Sequence, residues 1–398
     1  MRVLLCGGGT GGHVMPLSAI ADELKEHDSD NKLIFVGQRG DKFASNLAGN
    51  PSIDRAKMIM AGKFRRYAGV PWWRQILDIP TLLLNIRDAL LVIIGFFQSL
   101  VIVASEKPDI VFIKGGFVGV PVGFAAGLLG KKIITHDSDA YPGLANRIIG
   151  HWVSIHTVGM PPEYYNYDKS KTVRVGIPVA DVFQKVDARQ QHELKRKLGF
   201  NENMTLLLVT GGSQGAKNVN DIITNSAKEI LSLDNIEIAH VAGSSNYDEV
   251  IDKIDNTLDK NERGNYHIFP YIKGNMHEYS GAADIIISRG GSAIAEFAAQ
   301  QKPVIIIPNP MLAGDHQSIN AKIYNEAKAT MVVDEEKAKK QPQLVVGKIK
   351  ELLDSPQLRQ RLAGNLCKFF KTDATKEIVK IIENTNNRKE NNEDPKTP

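Results

Sequence analysis

The sequence predicts an α/β protein of two Rossmann-like domains, and three observations carry that reading. Short apolar, strand-like runs alternate with helical patterns, glycine turns recur at strand ends in both halves, and the chain is too long for one ordinary core. Its 398 residues fit two domains of average size. With 42% hydrophobic and 24% charged residues, the composition is that of a globular chain rather than a disordered or fibrous one.

The first half opens with an apolar run at residues 2–6 that ends in GGGTGGH, and an amphipathic pattern follows over residues 16–24. This reads strand, glycine turn, helix. Further buried strands are expected at residues 32–36, 110–113, 132–135 and 152–157, separated by helices or glycine turns in the rhythm of a parallel sheet with crossover helices. A proline-containing stretch at 175–179 precedes a highly charged segment at 187–197, and the hinge is placed there, giving domains at 1–177 and 178–366. The second half repeats the pattern: strands at 205–210 entering GGSQGAKN, 237–242, 266–269, 284–288 entering RGGSAIAE, and 304–307 entering a proline loop. A C-terminal helix at about 367–383 is placed against the first domain, and the polar tail 384–398 is expected to be unstructured.

Cys6 and Cys367 lie far apart and outside any CxxC spacing, which argues against a disulfide framework or a zinc site and for a reducing cytoplasm. No charged leader with a cleavage site opens the chain, so a protein that is not secreted is expected. A net charge of +4 is mild and gives no nucleic-acid footprint. Residues 72–104 stand apart, with PWWRQ followed by TLLLNIRDALLVIIGFFQSLVIVA. The clean apolar run is roughly 16 residues where a spanning helix needs about 20, and it leads through Lys107 and Pro108 into a buried strand. A long core helix partly exposed to a bilayer surface is expected. Upstream, Lys63, Arg65, Arg66 and Arg74 interleave with Phe64, Tyr67, Trp72 and Trp73, a mixture that suits anionic headgroups or makes an ordinary solvated loop.

Glycine loops between a strand and a helix let the backbone approach a ligand and aim free helix amides at a phosphate. Three occur, at residues 7–13, 211–215 and 290–292, the last before a helix carrying Glu296. One such loop is often only tight packing, whereas repetition across two halves points to ligand binding. The first is not a GxGxxG followed about 20 residues on by an acid, because FVGQR at 35–39 holds no carboxylate, and a dinucleotide dehydrogenase is disfavoured. The absence of GxxxxGK[ST] disfavours a P-loop nucleoside triphosphatase. His13 follows the glycines at a helix start, where a neutral imidazole serves as a general base on an acceptor hydroxyl or simply packs there. Glu296, one to two turns into its helix, suits two hydrogen bonds from ribose hydroxyls, or favours the helix dipole. In the loop 308–320, Asp315, His316, Gln317 and Asn320 suit sugar hydroxyls or form a capped turn. No cluster has metal-ligand spacing, so helix amides are left to stabilise a leaving diphosphate.

Together these residues resemble the MurG family, enzymes that move N-acetylglucosamine from UDP-N-acetylglucosamine (UDP-GlcNAc) to undecaprenyl-diphosphate-linked N-acetylmuramyl-pentapeptide, lipid I to lipid II, in peptidoglycan synthesis. The resemblance covers nearly the whole chain: GGTGGHVMP (8–16), FIKGGFVGVPVGFAA (112–126), PGLANR (142–147), GGSQGA (211–216), SRGG with Glu296, and DHQSINA (315–321). It implies a GT-B fold with two Rossmann-like domains facing a cleft, and an inverting, metal-independent hexosyltransferase whose sugar-donor site lies mainly in the second domain. His13 and Glu296 are the implied catalytic pair, Glu296 holding ribose, and Thr10, Gly11 and Gly12 face the acceptor and donor phosphates. Gly212, Ser213 and Gln214 would hold phosphate, Ile272 would meet uracil through its backbone, and Ser292, Ala293 and Ile294 would approach the diphosphate. His316 and Gln317 would hold the sugar, with Asp139 and Asn146 on the substrate side of the first domain. The implied partners are UDP-GlcNAc, the lipid-linked muramyl-peptide acceptor and anionic lipid on the inner face of the cytoplasmic membrane, where a peripheral protein is expected. No cofactor, metal ion or nucleic acid is expected.

Three positions depart from the family pattern. His136-Asp137-Ser138-Asp139 stands where HEQN is usual, Val179 is followed by Ala180 where a basic residue is usual, and the loop before Glu296 is one residue shorter. These leave the nucleotide-sugar reading intact and keep open another lipid acceptor, a non-catalytic UDP-sugar-binding subunit, or a UDP-sugar epimerase of the same architecture.

Overall fold

The computed structural model describes residues 1–9, 11–63, 78–212, 215–312, 315–371 and 373–387. Thr10, Ser213 and Gln214, the basic and aromatic stretch 64–77 and the tail beyond residue 387 lie outside them. The chain forms two compact units, Met1–Ala180 with Lys371–Pro398, and Asp181–Phe370.

The first unit is built on strands β1 (Arg2–Gly7), β2 (Lys32–Gln38), β3 (Arg55–Ile59), β4 (Ile110–Gly115), β5 (Lys132–Asp137), β6 (Val153–Val158) and β7 (Thr172–Arg174), all parallel, in the order β3-β2-β1-β4-β5-β6-β7. Helices α1 (Gly11–His27), α2 (Lys42–Ala48), α3 (Ile79–Glu106), α4 (Gly119–Leu128) and α5 (Leu144–Ile149) follow strands in turn. The central strands are apolar on both faces because both are covered. Val3, Leu5 and Phe112 pack with Leu17, Ile20 and Leu24 of α1, while Leu4, Val111 and Ile113 pack with Val103 and Val122 on the other side.

Helix α3, expected as a core helix partly exposed to a bilayer surface, is exposed over most of its length. Asp78 caps it, accepting from the Thr81 amide and hydroxyl, yet its buried positions are only Thr81, Asp88, Gly95, Ser99 and Val103. Its large side chains face outward: Leu83, Leu90, Phe97 and Val101 are each more than half exposed. The inward stripe is narrow because the strand-to-loop segment 60–62 lies directly on the helix; a Cβ at Gly95 would come within 2.0 Å of the Met60 carbonyl. Small residues permit that approach and leave no room for leucines on that face.

The second unit holds β8 (Thr205–Thr210), β9 (Ile236–Val241), β10 (Tyr266–Phe269), β11 (Ile285–Ser288), β12 (Val304–Ile306) and β13 (Met331–Val332), parallel and ordered β10-β9-β8-β11-β12-β13. Its helices are α6 (Ala188–Leu198), α7 (Lys217–Asn225), α8 (Ala227–Leu231), α9 (Tyr247–Thr257), α10 (Lys260–Gly264), α11 (Met276–Ala282), α12 (Ala293–Ala299), α13 (His316–Glu326), α14 (Glu335–Lys340), α15 (Gln343–Leu353) and α16 (Pro356–Phe369). The charged segment placed at the hinge forms α6, with Asp187 and Gln190 in a capping box and Gly199 in the left-handed conformation at its end. In each sheet the strand order reverses once, between β1 and β4 and between β8 and β11. Open α/β sheets bind ligands at such switch points, beyond the carboxyl ends of the strands.

The last helix, α17 (Ala374–Asn387), returns to the first unit, burying Ile378, Val379 and Ile382 with the α1 side chains. It runs past residue 384, where an unstructured tail was expected. The extra turn is held because Thr385 is buried, its hydroxyl donates to Ile381 O, and its carbonyl accepts from the Lys132 ammonium.

Candidate functional site

At the first switch point, the loop leaving β1 is fixed by Asp41. One carboxylate oxygen accepts the Gly9 amide at 2.7 Å and the other accepts the Phe43 amide, capping α2. Gly11, Gly12 and His13 form the first turn of α1. The half-buried His13 ring lies against the loop leaving β4, since a Cβ on Gly115 would be 3.7 Å from His13 Nε2 and equally far from Asn146 Nδ2. Gly116 has φ +80, and a Cβ there would stand 2.3 Å from the Gly8 carbonyl, so only glycine lets the two loops meet. His13, Asn146 and the glycines are thus brought together.

Beneath them lies a buried polar cluster. Asp137 accepts from the Gly143 amide at 2.9 Å and the Tyr167 hydroxyl at 2.8 Å, fixing the turn into α5 and with it Asn146. Burial pushes the Asp137 carboxyl up despite these bonds. Lys114 Nζ donates to Ser138 Oγ at 2.9 Å, and burial brings its pKa down to about 8 against the pull of Asp137 and Asp139. His136 is pushed well below its ordinary pKa by burial and then by the Lys114 charge. The Thr157 hydroxyl donates to Thr135 O, so it accepts from His136 Nδ1–H, and Nε2 is left as a lone pair. Among the described residues that atom and Asn146 Oδ1 are buried acceptors without a hydrogen-bond partner, while Asn146 Nδ2 donates to His136 O. Asp139, half-buried, is held through its carbonyl by the Tyr165 hydroxyl at 2.8 Å.

At the second switch point, the loop after β8 turns at Gly212, whose amide bonds Thr210 Oγ1, and at Gly215, where a Cβ would lie 2.5 Å from the Ala242 carbonyl. The loop after β11 runs through Ser292 into α12, with Ala293, Ile294 and Glu296 in its first turn. Glu296 is half-buried and its carboxyl is pushed up to about 7 by removal from water. Gln317 packs on this loop: its Oε1 accepts the Asn309 amide at 3.0 Å, and its Nε2 would be 3.8 Å from a Cβ on Gly291. Asn320 ties α13 to the same loop by donating to Gly290 O. His316 opens α13 beside them, half-buried. Ile272 is buried in the segment after β10, three strands from β11. Among the described residues no group of three or more His, Cys, Asp or Glu is placed to hold a metal ion.

Sequence reasoning passed over Asp41, Lys114, Arg289 and Glu335, which hold the loops. The available signal was a cation directly before a glycine pair at a strand end, Lys114-Gly115-Gly116 and Arg289-Gly290-Gly291.

Two open parallel sheets with glycine loops at each switch point make the GT-B architecture, and family models give the class, a glycosyltransferase: the glycosyltransferase family 28 N-terminal domain matches residues 3–155 and the family 28 C-terminal domain residues 206–378. Relatives narrow the class. The UDP-N-acetylglucosamine–N-acetylmuramyl-(pentapeptide) pyrophosphoryl-undecaprenol N-acetylglucosamine transferase of Thermoanaerobacter sp. (strain X514) is 31% identical over 385 residues, 96% of this chain and 99% of that protein. The enzyme of the same name from Caldicellulosiruptor saccharolyticus is 32% identical over 390 residues, 96% and 97% of the two chains. The chain belongs to this family of N-acetylglucosamine transferases, the MurG family. In fold it is similar to crystalline MurG of Acinetobacter baumannii (TM-score 0.69, 21% identity, 96% and 99% of the chains). It is similarly close to a UDP-GlcNAc 2-epimerase from Neisseria meningitidis bound to UDP-GlcNAc (TM-score 0.68, 14% identity, 96% and 100%).

Proposed function

We propose that the chain transfers N-acetylglucosamine from UDP-GlcNAc to undecaprenyl-diphosphate-linked N-acetylmuramyl-pentapeptide at the inner face of the cytoplasmic membrane. Full-length kinship with enzymes of that name carries the reading, and the half-buried carboxyl of Glu296 supports the sugar-donor half. Glu296 accepts hydrogen bonds from the two ribose hydroxyls. Gly212, Ser213 and Gln214 on one loop, and Ser292, Ala293 and Ile294 on the other, present amides and hydroxyls to the diphosphate, while the Ile272 backbone meets uracil. His316 and Gln317 take the sugar hydroxyls.

In the first unit, His13 removes the proton from the acceptor hydroxyl as its oxygen attacks the anomeric carbon. The bond to the UDP oxygen breaks from the opposite face, the configuration inverts, and UDP leaves with the electron pair. Thr10, Gly11 and Gly12 line the phosphates beside it. The unpartnered Asn146 Oδ1 suits a hydroxyl or amide of a substrate sugar, and Asp139 supplies a carboxylate where the family has an amide. The outward leucines and Phe97 of α3, a helix long and apolar enough to cross a membrane, support attachment to lipid, with Lys63 nearby for anionic headgroups.

Purified protein incubated with radiolabelled UDP-GlcNAc, the lipid-linked muramyl acceptor and EDTA is expected to yield labelled lipid product. Transfer only to a different polyprenol or diacylglycerol acceptor, donor conversion with no acceptor, or no product with any of them would overturn the assignment.

A further inference from the structure

The two glycine loops of the second unit are joined by a buried ion pair outside both. Glu335 opens α14 behind its cap Asp334 and is only 1% exposed. Its carboxylate is shared three ways: Oε1 accepts Asn218 Nδ2 at 2.7 Å and lies 3.6 Å from Lys339 Nζ, and Oε2 pairs with the Arg289 guanidinium. Arg289, itself 8% exposed, also donates from Nη1 to the Ile307 carbonyl at 3.0 Å.

Each partner stands at the root of a loop assigned above to the sugar donor. Asn218 is the second residue of α7, which follows the 211–216 loop; Arg289 is the residue between β11 and Gly290; Ile307 leads from β12 towards Gln317. Taking both charges out of water costs several kcal/mol per ion, so a pair of this kind is a poor way to gain stability that leucine and methionine would supply as well. What charge adds is geometry. A guanidinium and a carboxylate, each with further fixed partners, hold three loop roots at set spacings, and misplacing a binding group by about 1 Å is enough to cost on the order of a hundredfold in rate.

We infer that Glu335 is a positioning residue for the sugar nucleotide, acting through Arg289 and Asn218 to set the separation of the 211–216, 289–292 and 307–317 loops. The inference rests on the sugar-donor site proposed above. Glu335→Gln removes the charge and keeps the shape; Asn218→Ala releases α7 without stranding a buried ion; Arg289→Met with Glu335→Leu removes both charges at similar volume. UDP affinity by calorimetry, the KM values for UDP-GlcNAc and for the lipid acceptor, and the melting temperature are measured for each.

Glu335→Gln and the double variant are expected to raise the UDP dissociation constant and the UDP-GlcNAc KM on the order of tenfold or more, with the acceptor KM unchanged. Asn218→Ala raises them less. The double variant recovers melting temperature without recovering UDP affinity. Wild-type UDP affinity in the double variant overturns the inference, as does a loss confined to melting temperature. If Glu335→Gln does not fold, Asn218→Ala and the double variant decide the matter alone. A wild-type protein that binds no UDP overturns the sugar-donor reading itself, and this inference with it.

Discussion

Replacing Glu296 by glutamine is expected to make the second unit more stable and a weaker nucleotide binder at the same time. Burial raises this carboxyl from 4.5 to about 7. For an acid, a raised pKa in the folded state means the folded protein holds the proton more tightly than the unfolded chain. Stability therefore falls as pH climbs through that interval, and the loss is complete above it. At about 1.4 kcal/mol for each pH unit that separates the folded and unfolded pKa values, the loss is roughly 3 kcal/mol at pH 8. Glutamine removes the charge, so urea denaturation of the second unit at pH 8 should show a gain of up to roughly 3 kcal/mol that fades towards pH 4. Binding moves the other way. Each charge-assisted hydrogen bond from ribose is worth roughly 1.5–3 kcal/mol, so UDP affinity falls on the order of ten- to a hundredfold. Ribose donors favour the ionised carboxylate, and calorimetry near pH 6.5 in two buffers of different ionisation heat should find the wild type, but not the variant, releasing a proton on binding UDP. A variant no more stable at pH 8, or one that binds UDP as tightly as the wild type, refutes the reasoning.

His13→Ala should lower kcat roughly 10²–10⁴-fold while the UDP dissociation constant stays as it was, which calorimetry beside initial-rate kinetics would show. Asp41→Ala unties the Gly9 amide and uncaps α2 together, and a loss of at least about 1 kcal/mol in thermal unfolding of the first unit is expected. Changing Leu83, Leu90 and Phe97 to serine should leave stability within about 0.5 kcal/mol per site because they are exposed, yet release the protein from anionic vesicles in a flotation assay. Asn146→Ala should raise the acceptor KM and spare UDP binding, because the atom it removes belongs to the first unit.

Where hydrophobic pattern decides structure, the sequence was readable. β8 and β10 fall on the expected residues, and the other expected strands shift by a residue or two at their ends. β3, β7 and β13, each at a sheet edge, were not foreseen: β3 places Arg55, Ala56 and Lys57 in solvent, so no apolar run marks it, and β7 and β13 are only three and two residues long. That α3 is exposed was expected, but how far was not, because composition reports that a segment is apolar and not which way it faces. Among the proposed site residues, His13, Asn146, Glu296 and Gln317 were named from glycine loops, from a polar knot and from family motifs. Their supports were not, because Asp41, Asn218 and Glu335 are ordinary polar residues whose meaning comes from partners distant in the chain.

Those supports show a likeness between the two units that no motif displays. β4 and β11 hold the same place in their sheets, each next to the opening strand across the switch point, and near the carboxyl end of each a buried cation is followed by two glycines. In the second unit the cation is arginine, and a buried glutamate meets it. In the first it is Lys114, which bonds a hydroxyl directly and leans on Asp137 and Asp139 at longer range. A guanidinium fixed by a carboxylate makes a rigid loop root, and a lysine balanced by two acids around it makes one whose charge depends on those acids. Asp139 is one of them. Its acid is therefore tied to the cation beneath His13 and Asn146, and replacing Asp139 by asparagine should further lower the Lys114 pKa, because one of the two charges that hold it up is gone. A carbon-13 label on lysine, titrated by NMR in the variant and the wild type, would show that lowering, and an unchanged titration would break the proposed tie.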